Sequence, residues 1–364
     1  MAWTEKRGRK TIVIWREADG RRASKTFPTS LAARTFKAEV EMKLLTGSYT
    51  PASDRKQQLG AYLLEVVSGD LSLRRSTRDN QLSIVSKWII PRIGHLEIGA
   101  VGPSDVRSFL SQLRDAGLGP ASIQKNRALL SKAFNIAVRD GIRPDNPVTY
   151  VKAPKPARRK IRVLTPEEVE ELSAAIEPRY RALVVLAAYS GLRTGELGAL
   201  RLENLDLLRR RVSVVETVSG KGKALEVHDP KTEAGRRVVS IPEFVCHDMA
   251  SHLILFPPLP DGRVFSTAGG SYIDSSTLFP AWKTALRRAG LPRETHFHDL
   301  RHTSVAFAIQ MGAHPKEIQT RLGHAQISMT LDVYGHLFEG MDTLLAEKMN
   351  EAYGPDVIRE VSYL

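Results

Sequence analysis

Two short apolar runs around a turn signal predict a β-hairpin near the start of the chain. TIVIWRE, residues 11–17, is rich in β-branched and aromatic residues, and RRASKTF follows as residues 21–27. Asp19 and Gly20 stand between these runs, and both residue types tolerate the positive φ of a tight hairpin turn. Apolar positions then recur at helical spacing through residues 30–47. The first part of the chain therefore predicts a small β-sheet with one helix.

Helical spacing dominates from about residue 59 to residue 150 and predicts a bundle of about four helices. Ser104 is a candidate N-cap for a helix over residues 105–116. Another helix begins near Ser122 and closes at Gly141, after which prolines prevent its continuation.

The remainder of the chain alternates helices with short strands. Thr165 and Glu168 form a capping-box pattern at a helix start. An apolar helix then breaks near Gly191, and a second helix follows. Three short strands are expected next, and further helices follow them. The predicted strands are residues 210–218, 224–232 and 235–242, and the predicted helices include 271–290 and one that ends at Met311.

Composition narrows the class of protein. Of the 364 residues, 42% are hydrophobic and 26% charged, which is ordinary for a globular protein. The single cysteine, Cys246, excludes an internal disulfide framework and a thiolate-rich metal site. No apolar run approaches the roughly 20 residues of a membrane helix, and no secretory signal is recognisable. We therefore expect a cytoplasmic protein with no membrane partner.

The net charge of +13 is unevenly distributed. Residues 1–160 contain 30 Lys and Arg against 14 Asp and Glu, whereas residues 161–364 contain 23 against 26. All the excess positive charge therefore lies in the first part of the chain. A basic region joined to a nearly neutral one indicates that the basic region holds a polyanion while the other has a different task.

The stretch HFHDLRHT, residues 296–303, raises the question of a metal site. His298 and His302 have the i, i+4 spacing of zinc ligands. No glutamate stands between them, however, and Arg301 would place a permanent cation beside the metal. An ordinary polar helix start also fits this stretch. A third interpretation is a phosphate site, since His298 and Arg301 share a helix face and both donate hydrogen bonds.

A phosphate site of this kind predicts a second arginine elsewhere. YSGLRTGEL places Arg193 just after Gly191, where one helix breaks and another begins. The N-terminus of a helix adds N–H donors and a positive end. Glu196 is placed to hold Arg193 from within the same turn. A structural ion pair between these two residues, without any ligand, is the alternative.

Three separated motifs resemble those of the tyrosine recombinases, the phage integrase family. SGLRTGEL is similar to the family's first arginine box and HDLRHT to its H-x-x-R box. LGHAQISMTLDVYGH resembles the third box, in which His324 precedes Tyr334 by ten residues. PKTEAGRRVVSIP resembles the hairpin of the catalytic lysine, at Lys231, with Lys221 and Lys223 nearby. The motifs occur in the family's order between about residues 165 and 340.

The resemblance implies a multidomain fold that is mainly α with small β-sheets. Residues 165–345 would be an α+β catalytic domain of the tyrosine recombinase type, and residues 346–364 a C-terminal tail. Residues 59–150 resemble, more loosely, the helical core-binding (SAM-like) domain. Residues 1–50 resemble a small arm-site DNA-binding domain of a β-sheet plus a helix. Residues 151–164 form a basic linker that either wraps around a duplex or only connects domains.

The resemblance also implies strand cleavage through a covalent 3′-phosphotyrosyl bond, with no metal or other cofactor. Tyr334 would attack the phosphate, His298 would bind the phosphate and take the tyrosine proton, and Lys231 would protonate the leaving 5′ oxygen. The arginines and His324 would stabilise the phosphate oxygens, with Glu196 and His302 in support. The six implied catalytic residues are Arg193, Lys231, His298, Arg301, His324 and Tyr334.

Double-stranded DNA is the expected partner, at core sites and at separate arm sites. The family implies a homotetramer on DNA, assisted by an excisionase or a host DNA-bending protein. An additional basic N-terminal segment favours an integrase of a phage or integrative element over a chromosome-dimer resolvase. A type IB topoisomerase would use the same chemistry, and a DNA-binding protein that has lost activity would keep the same fold. The basic residues expected to contact DNA are Arg16, Arg21, Arg22, Lys25, Lys125, Arg127, Lys132, Arg158, Arg159 and Lys160.

Overall fold

The chain divides into two compact units, residues 1–158 and 159–364. The dividing point falls within the segment 151–164, while the finer division into five parts stays a prediction. The computed structural model describes residues 2–17, 20–46, 56–156, 161–220, 225–230, 232–328, 334–335, 346–347 and 349–350.

The first unit opens with an antiparallel sheet of strand order β1-β2-β3. Its core consists of side chains from one sheet face and from helix α1, whose start is capped by the Thr29 hydroxyl. The sequence pattern predicts β2 and β3 but not β1, because AWTEKR contains only two apolar residues and becomes a strand by pairing along its whole length with β2. These elements are β1 (Ala2–Arg7), β2 (Lys10–Arg16), β3 (Arg22–Phe27) and α1 (Ser30–Leu45).

The rest of the first unit is helical, as predicted. One π-helical turn joins α3 to α4 just before Pro91, a residue that has no N–H to donate to a helix. The Asp105 carboxylate accepts a hydrogen bond from the Gly102 N–H at 2.8 Å, so the predicted cap Ser104 lies inside its helix instead. The helices are α2 (Leu59–Gly69), α3 (Arg75–Ile84), α4 (Ile90–Ile93), α5 (Pro103–Asp115) and α6 (Pro120–Arg139).

Helices also dominate the second unit. The capping box at its first helix is confirmed: Glu168 N donates to the Thr165 hydroxyl at 3.2 Å, and Thr165 N donates to the Glu168 carboxylate at 3.1 Å. The helices are α7 (Pro166–Ala175), α8 (Pro178–Ser190), α9 (Thr194–Gly198), α10 (Glu243–Leu255), α11 (Ser275–Arg288), α12 (Asp299–Gln310) and α13 (Pro315–Leu322).

Helix α8 forms the centre of the second unit. Its side chains are apolar on almost every face, which is typical of a helix surrounded by other elements. It packs against α7, α10 and α12, and Leu183, Val184 and Leu186 are completely buried. The end of α8 is therefore held firmly, and the first arginine box begins at that end.

Two small antiparallel sheets complete the second unit. Strands β4 (Leu205–Asp206), β5 (Arg211–Val214) and β8 (Arg237–Ser240) form one, and β6 (Thr217–Ser219) pairs with β7 (Glu226–His228) in the other. The prediction of one strand over residues 210–218 was wrong, because the chain leaves the first sheet before Glu216. That carboxylate accepts a hydrogen bond from Arg201 Nε at 3.0 Å. Within the described ranges, no helix is long and apolar enough to cross a membrane.

Candidate active site

The corner between α8 and α9 sets the position of Arg193. Gly191 ends α8 with a φ of 71°, a left-handed conformation that glycine adopts without strain. A β-carbon at this position would also lie 3.0 Å from the Leu322 side chain and 3.1 Å from the Ser304 hydroxyl. Conformation and space both require glycine here. Arg193 follows immediately, at the start of α9.

Glu196 holds Arg193 by two hydrogen bonds. Its carboxylate accepts one from the Arg193 backbone N–H at 2.9 Å and one from Arg193 Nη1 at 2.8 Å. The Glu196 side chain is 4% exposed, whereas that of Arg193 is 39% exposed. The guanidinium is thus anchored on one edge by a buried carboxylate and keeps its other edge accessible to a ligand.

Arg237, which sequence analysis did not single out, anchors Glu196 in turn. Arg237 Nη1 and Nη2 donate to the two Glu196 oxygens at 3.2 and 2.9 Å. Its Nε donates to the Arg321 carbonyl at 2.7 Å, so β8 is joined to α13 as well. Burial alone would raise the pKa of Glu196, but Arg237 and Arg193 outweigh it and lower that pKa. Glu196 therefore stays ionised between two arginines.

Arg301, on α12, is held by backbone carbonyls. It is 4% exposed and donates to the Gly191 carbonyl and, at 2.7 Å, to the Leu322 carbonyl. Among the described residues, no carboxylate lies within ion-pair distance of its guanidinium. Burial and the nearby Arg193 lower the pKa of Arg301 to about 9, which leaves it charged at neutral pH. This excess of buried positive charge favours the binding of an anion.

His298 and His324 are neutral at neutral pH. His298 is exposed, but the desolvation imposed by the surrounding protein, with His302 and Arg301, lowers its pKa to about 4. Burial, Arg301 and Arg193 lower the pKa of His324 to about 4. Arg301 Nη2 lies 3.2 Å from His324 Nε2 and can only donate, so His324 carries its proton on Nδ1.

Tyr334 lies at the edge of this cluster. It is 3% exposed and packs in a small apolar cluster with residues of α12 and α13. Burial raises the pKa of its hydroxyl to about 12, although Arg301 acts in the opposite direction. The hydroxyl lies 2.5 Å from His302 Nδ1, and the His302 ring stands 5.2 Å from that of His298. The family resemblance implies that His298 takes the tyrosine proton, but the hydrogen bond is with His302.

Four separated segments thus converge on one site. They contribute two anchored arginines, two neutral histidines and a histidine-bound tyrosine. A guanidinium group can donate two parallel hydrogen bonds to phosphate oxygens. It can also stabilise the negative charge that develops during attack on phosphorus. Within the described part of the chain, no three His, Cys, Asp or Glu side chains are placed to hold a metal ion.

Comparison with known proteins identifies this arrangement. Residues 162–340 match the phage integrase family. This part of the chain belongs to that family. The protein is a tyrosine recombinase, an enzyme of site-specific DNA recombination, as the three sequence motifs predict.

Proteins similar to the recombinase include both integrases and XerC-like tyrosine recombinases. It is 27% identical over 364 residues to the integrase of Mycobacterium phage L5, a match that covers 96% of each chain. It is 28% identical over 287 residues to a XerC-like tyrosine recombinase of Caldanaerobacter subterraneus, with 71% of this chain and 73% of the relative covered. The similar proteins also include a putative prophage phiRv2 integrase of Mycobacterium tuberculosis and the ICEBs1 integrase of Bacillus subtilis.

A solved structure shows the same fold. The Tn1549 transposon integrase in complex with transposon right end DNA superimposes with a TM-score of 0.69 and 22% sequence identity. The match covers 81% of this chain and 99% of the transposon protein. The predicted fold class, mainly helical with small β-sheets, is confirmed.

The α6 residues expected to contact DNA differ in their surroundings. Arg127 donates to the Val151 carbonyl at 2.7 Å and the Val148 carbonyl at 3.0 Å. Lys132 forms an ion pair with Asp70 at 2.7 Å. Lys125 is exposed. Arg127 and Lys132 thus have structural partners, and of the three only Lys125 projects openly from the helix.

The N-terminal sheet separates its basic candidates onto two faces. Lys25 pairs in register with Val13, whose side chain is buried against α1, and its ammonium lies 4.7 Å from the Phe36 ring centroid. Arg16 and Arg22 pair with each other across β2 and β3 and lie on the opposite face. Arg22 covers the Trp3 ring on that open face at 5.8 Å. Arg21 is exposed just before β3.

Several predicted residues lie outside the described part of the chain. They are Lys231, Arg158, Arg159 and Lys160, together with most of the tail after Tyr334. His296 lies before α12, where its backbone N–H donates to the Asp299 carboxylate at 2.8 Å and starts the helix. The only sequence feature that could have indicated the buried Glu196–Arg237 pair is an arginine in the predicted strand RRVVS. That feature does not distinguish Arg237 from its neighbour Arg236.

Proposed function

We propose that this recombinase integrates and excises a phage or another mobile element by cutting and rejoining DNA at specific core sites. The observation that carries the proposal is the convergence of Arg193 and Arg301 beside the His302–Tyr334 hydrogen bond. Its similarity to integrases of a phage and a prophage supports the biological role.

In the proposed reaction, the Tyr334 hydroxyl attacks the scissile phosphate and becomes joined to the 3′ phosphate. Arg193 and Arg301 bind the non-bridging oxygens and stabilise the charge that develops there. His298 and His324 lie beside the arginines, and Lys231 is the proposed acid for the leaving 5′ oxygen. The phosphotyrosyl ester conserves the energy of the broken bond, so rejoining requires no ATP.

Removal of the nucleophile tests this chemistry. Tyr334→Phe lacks the hydroxyl and should bind core-site DNA normally while forming no covalent complex on a suicide substrate nicked beside the cleavage site. Denaturing gel electrophoresis detects the protein–DNA adduct. A covalent adduct formed by Tyr334→Phe would sink the assignment of the nucleophile.

The number of strands cut during exchange determines the proposed oligomeric state. Two duplexes contain four strands to be cut, and each subunit supplies one Tyr334, so the active complex is a homotetramer on DNA. An excisionase or a host DNA-bending protein would control direction. Size-exclusion chromatography with light scattering on two paired core sites should give four subunits per two duplexes. A complex that contains two subunits but completes exchange would refute this stoichiometry.

A topoisomerase-like reaction is the main chemical alternative. It would use the same residues to relax any supercoiled plasmid, without exchanging partners. Recombination requires a defined site, so a plasmid with two core sites should yield deleted or inverted products. Relaxation that is equally fast on a plasmid without the site would favour the topoisomerase reaction instead.

The open face of the N-terminal sheet is the proposed contact for arm-site DNA. A three-stranded sheet can enter a major groove, and this face presents Arg16 and Arg22 on neighbouring strands beside the half-buried Trp3. Arginines would bind phosphates and base edges, while Trp3 would contact the sugar or a thymine methyl group. Lys25, on the face toward α1, is left out of this surface.

A further inference from the structure

We propose that His302 accepts the proton of Tyr334 during attack on the phosphate and returns it during rejoining. This inference rests on the recombinase function proposed above. It assigns His302 a catalytic role, because the residue touches the attacking oxygen. The role differs from phosphate binding by His298.

The contact itself is short and direct. His302 Nδ1 lies 2.5 Å from the Tyr334 hydroxyl oxygen, and the two rings are 5.6 Å apart with a tilt of 54°. Among the described residues, no hydrogen bond links His298 to that hydroxyl. A general base must be within hydrogen-bond reach of the proton that it removes, and His302 meets this requirement.

The buried tyrosine needs such a base. With a pKa raised to about 12, the hydroxyl would be ionised in only roughly one molecule in 10⁵ at neutral pH. Attack as a free phenolate would therefore depend on a very rare species. A base already bonded to the hydroxyl removes the proton as the new bond forms, and no free phenolate has to accumulate.

The proposed step balances in both directions. As the Tyr334 oxygen bonds to phosphorus, its proton moves to His302 Nδ1 and the phosphorus–O5′ bond breaks, with the O5′ proton supplied by Lys231. In rejoining, a 5′ hydroxyl attacks the phosphotyrosyl phosphorus, and its proton returns to Lys231. His302 then gives its proton back to the departing tyrosine oxygen, so the enzyme ends as it began.

Helix α12 couples this base to the phosphate site. Arg301 and His302 are adjacent on that helix, and His298 lies one turn before His302. Arg301 is fixed by the Gly191 and Leu322 carbonyls. The helix therefore sets the distance between the phosphate and the tyrosine, because it carries both Arg301, which would bind the phosphate, and His302, which contacts Tyr334.

Two substitutions separate proton acceptance from simple orientation. His302→Asn keeps a hydrogen-bond acceptor near the Nδ1 position but is not basic, whereas His302→Ala removes both properties. We expect both variants to slow single-turnover cleavage by roughly 10²–10⁴-fold, the usual contribution of a general base. If His302→Asn cleaved within about threefold of the wild type, orientation alone would suffice and the proposal would be overturned.

A sulfur substitution in the DNA distinguishes the base from the leaving-group acid. A bridging 5′ sulfur departs without a proton, so it should restore cleavage to Lys231→Ala but leave His302→Ala and His302→Asn slow. If the 5′ sulfur restored His302→Ala to the wild-type rate, His302 would be the acid that protonates the leaving oxygen, and the inference would be overturned. His247→Ala, on the exposed side of α10, is the matched histidine control and should cleave like the wild type.

The wild type and Tyr334→Phe serve as reference proteins, so that failure of the recombinase chemistry can be distinguished from failure of the role of His302. Wild type that forms no covalent adduct, or Tyr334→Phe that does, would count against the recombinase chemistry itself. Wild type that forms the adduct while both His302 variants match its rate would refute only the role of His302. Rates are compared at saturating DNA, and urea unfolding of each variant shows that the fold is retained.

Discussion

Arg127 and Arg301 have similar contacts and different surroundings. Both guanidinium groups donate to two backbone carbonyls, Arg127 to Val151 and Val148, and Arg301 to Gly191 and Leu322. The carbonyls bound by Arg127 belong to one short segment that follows its own helix. Those bound by Arg301 lie in two distant segments, one just before Arg193 and the other just before His324.

The difference shows why charge alone is a poor guide to the active site. The first 160 residues hold all the excess positive charge, yet the converging groups lie in the nearly neutral second unit. In unit 1, Lys132 is neutralised by Asp70. In unit 2, Arg301 is buried with carbonyl partners, and burial of such a charge makes a bound anion strongly favourable.

The largest effect should come from replacing Arg301. Arg301→Lys keeps the charge but cannot donate simultaneously to two carbonyls and His324. We expect single-turnover cleavage of a nicked core site to fall by roughly 10³-fold, as for loss of a preorganised donor. Arg127→Lys is the matched control and should cleave at nearly the wild-type rate. Equal losses in the two variants would remove the distinction drawn between these arginines.

Breaking the buried Glu196 pair should have the next largest effect, on stability. Arg237→Met leaves the Glu196 carboxylate buried with one partner fewer, at a cost of about 3–5 kcal/mol in unfolding free energy measured with urea. Arg236→Met removes only an exposed pair with Asp229 and should cost less than about 1 kcal/mol.

The double variant Arg237→Met, Glu196→Met sharpens this test. It removes both charges together, so it should recover much of the lost stability while cleavage stays impaired, because Arg193 has lost its anchor. Arg236→Met and Arg237→Met variants of equal stability would show that burial of the pair does not matter.

A smaller effect is expected at the N-terminal sheet. Arg22→Ala on the open face should weaken binding to arm-site DNA and reduce the slope of log affinity against log salt by about one phosphate contact. Lys25→Ala, on the face toward α1, should leave that slope unchanged. Fluorescence anisotropy at several salt concentrations measures both. A slope altered by Lys25→Ala and not by Arg22→Ala would reverse the proposed DNA-binding face.

The smallest effect concerns acid stability. The pKa of His298 and His324 falls from 6.5 to about 4 on folding, so the unfolded chain binds more protons between these values. The unfolding free energy should therefore decrease as the pH falls from about 6.5 to about 4. A variant with Gln at both positions should lose less stability than the wild type between pH 7 and pH 5, measured by urea unfolding. Identical losses would contradict the lowered pKa values.

Much of this site could be predicted from the sequence because its motifs are local. Arg193, His298, Arg301, His324 and Tyr334 were selected from three short stretches, and the structure brings them together. Their catalytic roles, and the position of Lys231, stay predictions. The helix start at Thr165 was equally readable, because a capping box is complete within four residues.

Contacts between distant segments could not be predicted in the same way. Arg236 and Arg237 are adjacent and chemically alike, and only the fold directs one toward Asp229 and the other toward Glu196. The tyrosine's partner depends on how Tyr334 packs against α12, which spacing along the chain does not determine. Strand β1 was missed for the same reason, since its structure comes from pairing with β2.

The carbonyl contacts of Arg301 make assembly of the phosphate site dependent on folding of two distant segments. A chain that is still folding, or that has opened locally, lacks one of the two segments that fix this arginine. Such a chain cannot assemble the phosphate site, even if its tyrosine and DNA-binding surfaces are exposed. A functional Arg301 is thereby restricted to molecules in which the segments around Gly191 and Leu322 are both folded.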